Sequence, residues 1–292
     1  IVYWMFNRPM IQTEKFLKEK FSKSPELVEG NIKVMHAGYN FADTIEALPS
    51  SYTVLSANLE KGTYRNVMGN QAIAWGFLAA AERSNKQLFL GSYPITPASD
   101  ILHELAKHKN LGVKTFQAED EIASICAAIG ASFVGNLAIT TTSGPGLALK
   151  SEALGLAIMT ELPLVVVDVQ RGGPSTGLPT KTEQSDLLQA LYGRNGESPA
   201  IVLASSTPGN CFDWAYTASK ITLEHNTPVV LLSDGYLGNG AEPWKIKSIK
   251  DMPDISPNIA YEGEKYEPYL RNDKTLSRKL ALPGTKGLEH RI

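Results

Sequence analysis

The chain has 292 residues, 43% of them hydrophobic and 20% charged, with a formal net charge of −2; that is enough for one large or two modest domains around a sizeable core. It lacks the basic excess that gripping a phosphate backbone requires, no apolar run approaches the roughly 20 residues of a membrane span, and residues 1–5 are too short and too uncharged for a signal peptide, so nucleic-acid and membrane partners are set aside and a cytoplasmic protein is expected. Two cysteines, Cys126 and Cys211, lie far apart in helical patterns; they read as neither a disulfide nor a metal pair and fall short of the four thiolates of an iron–sulfur cluster. The sequence opens on Ile1 rather than Met and stops at Ile292 without a terminating motif, so a piece of a longer polypeptide is expected.

Residues 1–66 read as the end of an upstream domain plus a linker. Residues 11–21 form a short amphipathic helix. Ser24-Pro25-Glu26 opens another, with a capping hydroxyl, Pro at the first helical position and an acid in the first turn. Leu27, Val28, Asn31, Ile32, Met35 and Tyr39 continue it at steps of three and four. Periodicity fades over residues 41–64, where Pro49-Ser50-Ser51 reads as linker.

Residues 67–242 alternate helices with short apolar strands. Helices are expected over 70–83, 98–107, 119–131, 145–160 and 211–225, and strands over 87–91, 113–117, 137–142, 164–169 and 228–233. Continuously apolar strands separated by helices indicate an α/β fold, a mostly parallel sheet with helices on both faces. Ligands of such sheets bind beyond the carboxyl ends of the strands, where residues 93–97, 140–146 and 170–177 fall. After residue 242 the pattern dissolves, with Pro243, Pro253, Pro257 and Pro268 punctuating a polar segment. Residues 243–292 are expected to be an extended linker toward a following domain.

Several motifs carry chemistry. Tyr93-Pro94-Ile95-Thr96-Pro97 ends a strand in a loop stiffened by two prolines, which holds the Thr96 hydroxyl in place. Glu119-Asp120-Glu121 opens a helix with an apolar body, so at least one of these acids is expected to be partly buried. Thr140-Thr141-Thr142-Ser143-Gly144-Pro145-Gly146 joins strand to helix and is either an anion cradle at a helix N-terminus or a tight turn capped by Ser143. Arg171, ahead of Gly172-Gly173, suits bidentate carboxylate recognition, with a surface salt bridge as the plainer reading.

Gly173-Pro174-Ser175-Thr176-Gly177 matches the Gly-x-Ser-x-Gly of serine hydrolases, but Pro174 and Pro179 bracket Ser175 in an extended loop, and neither His225 nor His290 lies in a site loop. Ser233-Asp234-Gly235, with Asn258 downstream, is similar to the Gly-Asp-Gly magnesium-diphosphate motif of thiamine diphosphate enzymes. Ser233 replaces the first Gly, however, and the following segment is broken by prolines, so a polar turn is expected instead.

Taken together, Tyr93-Pro94-Ile95-Thr96-Pro97, Glu119-Asp120-Glu121-Ile122-Ala123, Gly130-Ala131-Ser132, Thr142-Ser143-Gly144-Pro145-Gly146 and residues 170–177 resemble the thiamine pyrimidine-binding domain of the 2-oxoacid:ferredoxin oxidoreductase alpha subunits. The stretch from Ser24-Pro25-Glu26 to Ala37-Gly38-Tyr39 looks like the end of the gamma-type domain often fused ahead of alpha. Residues 283–292 look like the approach to the family's next domain.

The resemblance implies the chemistry. Glu121, counted back from Gly130, falls at the glutamate that hydrogen-bonds the pyrimidine N1′ of thiamine diphosphate and promotes loss of the C2 proton; Glu119 is the other candidate. Tyr93, Pro94, Ile95 and Thr96 line the cofactor loop, with Thr96 on the substrate's oxo-acid end and Arg171 on its carboxylate. The implied reaction is oxidative decarboxylation of a 2-oxoacid, 2-oxoglutarate or a branched one, to acyl-coenzyme A in anaerobic metabolism, with electrons passing to ferredoxin. A beta partner would carry magnesium, the diphosphate half-site and an iron–sulfur cluster, making the assembly hetero-oligomeric. Two alternatives stand beside this: another thiamine enzyme of the transketolase or pyruvate dehydrogenase type, and a non-catalytic subunit that keeps the fold.

Overall fold

The computed structural model describes residues 1–290 and divides the chain into two compact units, Ile1–Lys61 and Gly62–Ile292. The first holds three helices, α1 (Val2–Met5), α2 (Ile11–Lys20) and α3 (Pro25–Thr44). Pro25 sits in the first turn of α3 with Glu26 beside it, as the sequence leads one to expect. Of the residues in these helices only Ala42 is fully buried, while Phe16, Leu27, Val34 and Phe41 stay exposed.

The second unit starts with β1 (Tyr64–Met68) and α4 (Gly69–Ser84), followed by β2 (Leu88–Ser92), α5 (Ser99–Leu105) with a 3₁₀ turn, β3 (Lys114–Gln117) and α6 (Glu121–Phe133). The chain continues through β4 (Leu137–Thr142), α7 (Gly144–Leu149), α8 (Ser151–Met159), β5 (Leu164–Gln170), α9 (Leu187–Tyr192) and β6 (Ile201–Ala204). It then forms α10 (Asn210–His225), β7 (Pro228–Asp234), α11 (Gly235–Asn239) and β8 (Ala241–Lys245). Six strands make a parallel sheet in the order β3-β2-β4-β5-β7-β6. The α/β architecture with helices on both faces is therefore the one expected.

Side chains alternate across the sheet, so every strand except the edge strand β3 feeds two cores. In β5, Val165, Val167 and Val169 join α4, α5 and α10 around Ile73, Phe77, Ile101 and Phe212. Leu164 and Val166 face the other way, into the core of α6 and α8 with Ile125 and Leu154. Asp168 shares that second parity. The long helices stop by a common device: Asn85 after α4 and Asn226 after α10 take left-handed C-cap conformations, which Asn tolerates better than other side chains with a Cβ.

Four departures from the expected elements bear on the site and on the unit boundaries. The helix expected over 145–160 breaks at Lys150 into α7 and α8. The helix expected from Glu119 begins at Glu121, because Asp120 is extended and caps it, its carboxylate accepting from Ala123 N at 2.6 Å. The short edge strand β6 went unread.

The fourth departure concerns the outer boundaries. β1 pairs antiparallel with β8, setting Asn66 opposite Pro243, so residues 64–66 and 243–245 belong to the second unit. Proline is tolerated in such a two-stranded ribbon because its missing N–H can face outward. The remainder of 243–290, expected to be an extended linker, packs onto this unit. Ile255 enters the α4/α10 core, and Arg278 bonds Glu161 Oε2 at 3.0 Å and the Thr160 carbonyl at 3.1 Å. The last two residues of the 283–292 motif lie outside the described residues. Among the described residues no helix is long and apolar enough to cross a membrane.

Candidate functional site

The carboxyl ends of β2, β3, β4 and β5 deliver their loops to one edge of the sheet. Of the three acids before and in α6, Glu119 is exposed, Asp120 is spent as the N-cap, and Glu121 is 8% exposed. Gly91 in β2 explains how α6 comes so close: a Cβ there would collide with the Ser124 carbonyl. Gly146 plays the same part on the other side, since its Cβ would strike Thr142 Oγ1 and lie 2.8 Å from Glu121 Cγ. The Glu121 carboxylate is thus pressed against the β4–α7 turn. Among the described residues no group donates a hydrogen bond to it, so its oxygens are left free for a ligand donor.

Arg171 follows β5 and is 7% exposed. Its Nη1 donates to the Thr96 carbonyl at 2.6 Å, and its Nη2 donates to the Thr176 carbonyl. One guanidinium therefore joins the Tyr93–Pro97 loop to the Gly173–Gly177 loop. Its Nε is buried without a partner. An arginine has five donors, so positive hydrogen-bonding capacity remains beside the exposed Thr96 side chain. The surface salt bridge weighed for Arg171 is not what the structure contains.

The 172–186 loop is itself folded. Leu178 N donates to Gly172 O and Gly172 N to Lys181 O, both at 2.8 Å, and Gly173 N donates to Glu183 Oε2 at 2.9 Å. Gln170 Oε1 accepts from Asp186 N at 3.0 Å, while its Nε2 donates to Ser233 O at 3.1 Å. A cleft of about 660 Å³ opens between this loop and α7, lined among others by Gly144, Pro145, Arg171, Ser175, Thr176 and Asp186. Ser175 lies on the cleft's loop wall, outside any strand-to-helix elbow, and His225 Nδ1 rests on the Thr275 carbonyl.

The β4–α7 turn holds no open anion cradle. The Asp186 carboxylate already stands against Gly144, where a Cβ would meet both of its oxygens at 2.6 Å. Asp234 likewise caps α11, accepting from Tyr236 N at 2.7 Å and Leu237 N at 3.0 Å, and takes Gln184 Nε2 at 2.6 Å on its other oxygen. That is the polar turn expected for Ser233-Asp234-Gly235.

Three features of the site escaped the motif reading. Asp168 is completely buried on β5, and neither of its oxygens has a conventional donor. Burial, and then the neighbouring charge and hydrogen bond of Asp186, push its pKa well above the usual carboxylate value, which favours a proton shared between the two carboxyl groups. A lone Asp in Leu164-Val165-Val166-Val167-Asp168-Val169 was the available signal. Lys150, also completely buried, and Gln170 gave only a polar residue in an apolar context.

The Asp168 pair has a pH signature. With its folded pKa raised, the native state holds one more proton than the unfolded chain at pH values between the two pKa values. Stability is then fullest below the ordinary Asp value and declines as pH rises toward the folded one, by about 1.4 kcal/mol per pH unit for one proton. Asp168→Asn supplies a permanent N–H donor to Asp186 and is expected to flatten this slope. Urea-unfolding midpoints measured from pH 4.5 to 8 check it; equal slopes in both proteins would refute the shared proton.

Comparison with known proteins agrees with this geometry. Residues 81–292 match the family described as "Pyruvate flavodoxin/ferredoxin oxidoreductase, thiamine diP-bdg". The chain is 56% identical over 292 residues to the 2-oxoglutarate oxidoreductase subunit KorA of Mycobacterium tuberculosis, covering 100% of this chain and 45% of that one. It is 43% identical over 177 residues to the 2-oxoglutarate synthase subunit KorA of Archaeoglobus fulgidus, covering 60% and 50% respectively. A solved 2-oxoglutarate:ferredoxin oxidoreductase from Magnetococcus marinus, with 2-oxoglutarate, coenzyme A and succinyl-CoA bound, superposes with a TM-score of 0.81 at 35% identity, over 99% of this chain and 50% of that one. The chain spans about half the length of the curated relatives it matches. The match covers the whole parallel sheet and every loop of the site, and the chain belongs to the thiamine diphosphate-binding family of the pyruvate flavodoxin/ferredoxin oxidoreductases.

Proposed function

We propose that this chain supplies the pyrimidine side of the active site in a 2-oxoacid:ferredoxin oxidoreductase that decarboxylates 2-oxoglutarate to an acyl-coenzyme A. The observation that carries the reading is Glu121, a residue only 8% exposed whose carboxylate has no hydrogen-bond donor among the described residues. The N1′ of an aminopyrimidine is a group of the right polarity to complete it, so the residues present fit thiamine diphosphate. When bound, that cofactor supplies the electron sink for decarboxylation.

The protein's own contributions follow from its side chains. Glu121 exchanges a proton at the pyrimidine nitrogen from a largely buried position on the first turn of α6. Arg171 pairs with the substrate carboxylate through its unused donors, and a charge-assisted bond of this kind is stronger than a neutral one. Thr96, exposed beside that guanidinium, hydrogen-bonds the oxo-acid end, with Tyr93, Pro94 and Ile95 lining the cofactor. Glu119, exposed to solvent, is left without a part in the exchange.

The choice of 2-oxoglutarate rests on the names of the relatives. Magnesium, the diphosphate half-site and an iron–sulfur cluster belong on a beta partner in this reading, and ferredoxin receives the electrons. The test is anaerobic reduction of ferredoxin or a viologen by the full-length protein co-expressed with its partner, supplied with thiamine diphosphate, magnesium, coenzyme A and a panel of 2-oxoacids. Coenzyme A-dependent reduction fastest with 2-oxoglutarate is expected. An assembled complex with intact clusters that reduces nothing with any 2-oxoacid would overturn the proposal in favour of a non-catalytic subunit.

A further inference from the structure

Lys150 stands where the expected single helix breaks into α7 and α8, and its side chain is entirely buried. Taking an ammonium out of water costs several kcal/mol unless acceptors replace its hydration. Here Nζ donates to the Glu121 carbonyl at 2.8 Å and to Ser124 Oγ, and Ser124 Oγ donates to the same carbonyl at 2.8 Å. Two side-chain donors thus converge on the backbone of the residue whose carboxylate faces the β4–α7 turn. Burial lowers the Lys150 pKa to about 8, while Glu121, Asp120 and Cys126 pull it upward, so the cation lies within electrostatic reach of the acidic end of α6.

A lysine used only to staple α6 to α7 could hold any carbonyl. This one holds the first turn, from which the Glu121 side chain projects, and it does so from the segment that also carries Gly146, the residue against which Glu121 Cγ packs. Residues 146–150 therefore reach Glu121 twice, through an ammonium bond to its backbone carbonyl and through the close approach of Gly146 to its side chain.

We propose that Lys150 is a positioning residue that clamps the first turn of α6 and so aims the Glu121 carboxylate at the pyrimidine ring, an inference that rests on the assignment of Glu121 made above. Misplacing a reacting group by a fraction of an ångström to an ångström costs factors of ten to a hundred.

The test uses the full-length complex with its partner chain and compares wild type with Lys150→Met, which keeps an unbranched side chain and removes the charge. Four quantities are read: thermal stability, thiamine diphosphate affinity by calorimetry, the KM for the 2-oxoacid, and the rate of hydrogen–deuterium exchange at the cofactor's C2, followed by NMR after quenching. Lys150→Met is expected to weaken cofactor binding and to slow C2 exchange by about tenfold or more each, with the KM for the 2-oxoacid unchanged. A purely structural lysine would lower thermal stability alone; affinity and exchange within about twofold of wild type would overturn the inference.

Glu121→Gln is run in parallel. If exchange survives in Glu121→Gln, the assignment of Glu121 falls and takes this inference with it. If exchange is lost in Glu121→Gln but intact in Lys150→Met, only the role of Lys150 falls. Should Lys150→Met fail to assemble, Ser124→Ala decides, because it removes the hydroxyl that bonds both the ammonium and the Glu121 carbonyl. Exchange slowed by roughly threefold supports the clamp, and an unchanged rate refutes it.

Discussion

Glu121→Gln is expected to reduce 2-oxoacid-dependent acceptor reduction by about 10²–10⁴-fold, the range that a positioned proton-exchanging group contributes, in a complex that still assembles. Gln keeps the shape that fits against Gly146 and Thr142, so the loss reports the proton and not the packing. Glu121 has the surroundings for such a role because α6 packs closely on Gly91 of β2 and because Asp120 takes over the capping duty, leaving the next acid free to turn inward. Steady-state viologen reduction at saturating cofactor measures the effect. Activity within a few-fold of wild type would move the role off this helix.

Arg171→Met should produce the second large effect. The side chain ties the Thr96 and Thr176 carbonyls together and keeps further donors beside the cleft. Removing one member of a desolvated charged pair costs about 2–5 kcal/mol, which corresponds to roughly thirty-fold to several-thousand-fold in kcat/KM. The loss should fall on the KM for the 2-oxoacid as well as on kcat, because the guanidinium that holds the two loops together is also the proposed partner of the substrate carboxylate. Arg171→Lys is expected to rescue little: a lysine ammonium is a point charge that cannot span two carbonyls and a carboxylate with a planar fork. A lysine variant as active as wild type would show that charge alone suffices.

The parallel sheet was legible because its two central strands β5 and β7 are almost wholly apolar. Leu164 to Val169 and Pro228 to Leu232 state burial on both faces in their composition alone, and the helices between them carry clear periods. What escaped was structure whose signal lies outside local sequence. Ile201–Ala204 is too short and too half-exposed to stand out. Tyr64–Met68 and Ala241–Lys245 become strands only through each other, across a long separation that no window along the chain can see. The break at Lys150 was hidden because the apolar period runs straight through it, and the burial of the ammonium against α6 leaves no trace in that period.

The site was legible in part, for a related reason. Tyr93–Pro97, Glu121 and Arg171 advertise themselves through prolines, acids and an arginine at strand ends, and the topology does bring their loops to one edge. The sequence left three acids open at the start of α6, and burial separates them: one caps, one is exposed and one turns inward. The Asp168–Asp186 pair joins a strand to a loop residue far along the chain, and a shared proton leaves no pattern in spacing. The bland readings of Gly173–Gly177 as a non-elbow loop and of Ser233-Asp234-Gly235 as a capped turn agree with the hydrogen bonds those residues make.

The measurement that bears most directly on the central claim is calorimetric titration of thiamine diphosphate, with magnesium, into the full-length complex carrying Glu121→Gln or Glu119→Gln. Loss of the charge-assisted bond to the pyrimidine is expected to weaken binding by about tenfold or more in Glu121→Gln, with Glu119→Gln binding like wild type. Weakened binding in Glu119→Gln alone, or wild-type affinity in both variants, would contradict the placement of the cofactor against Glu121.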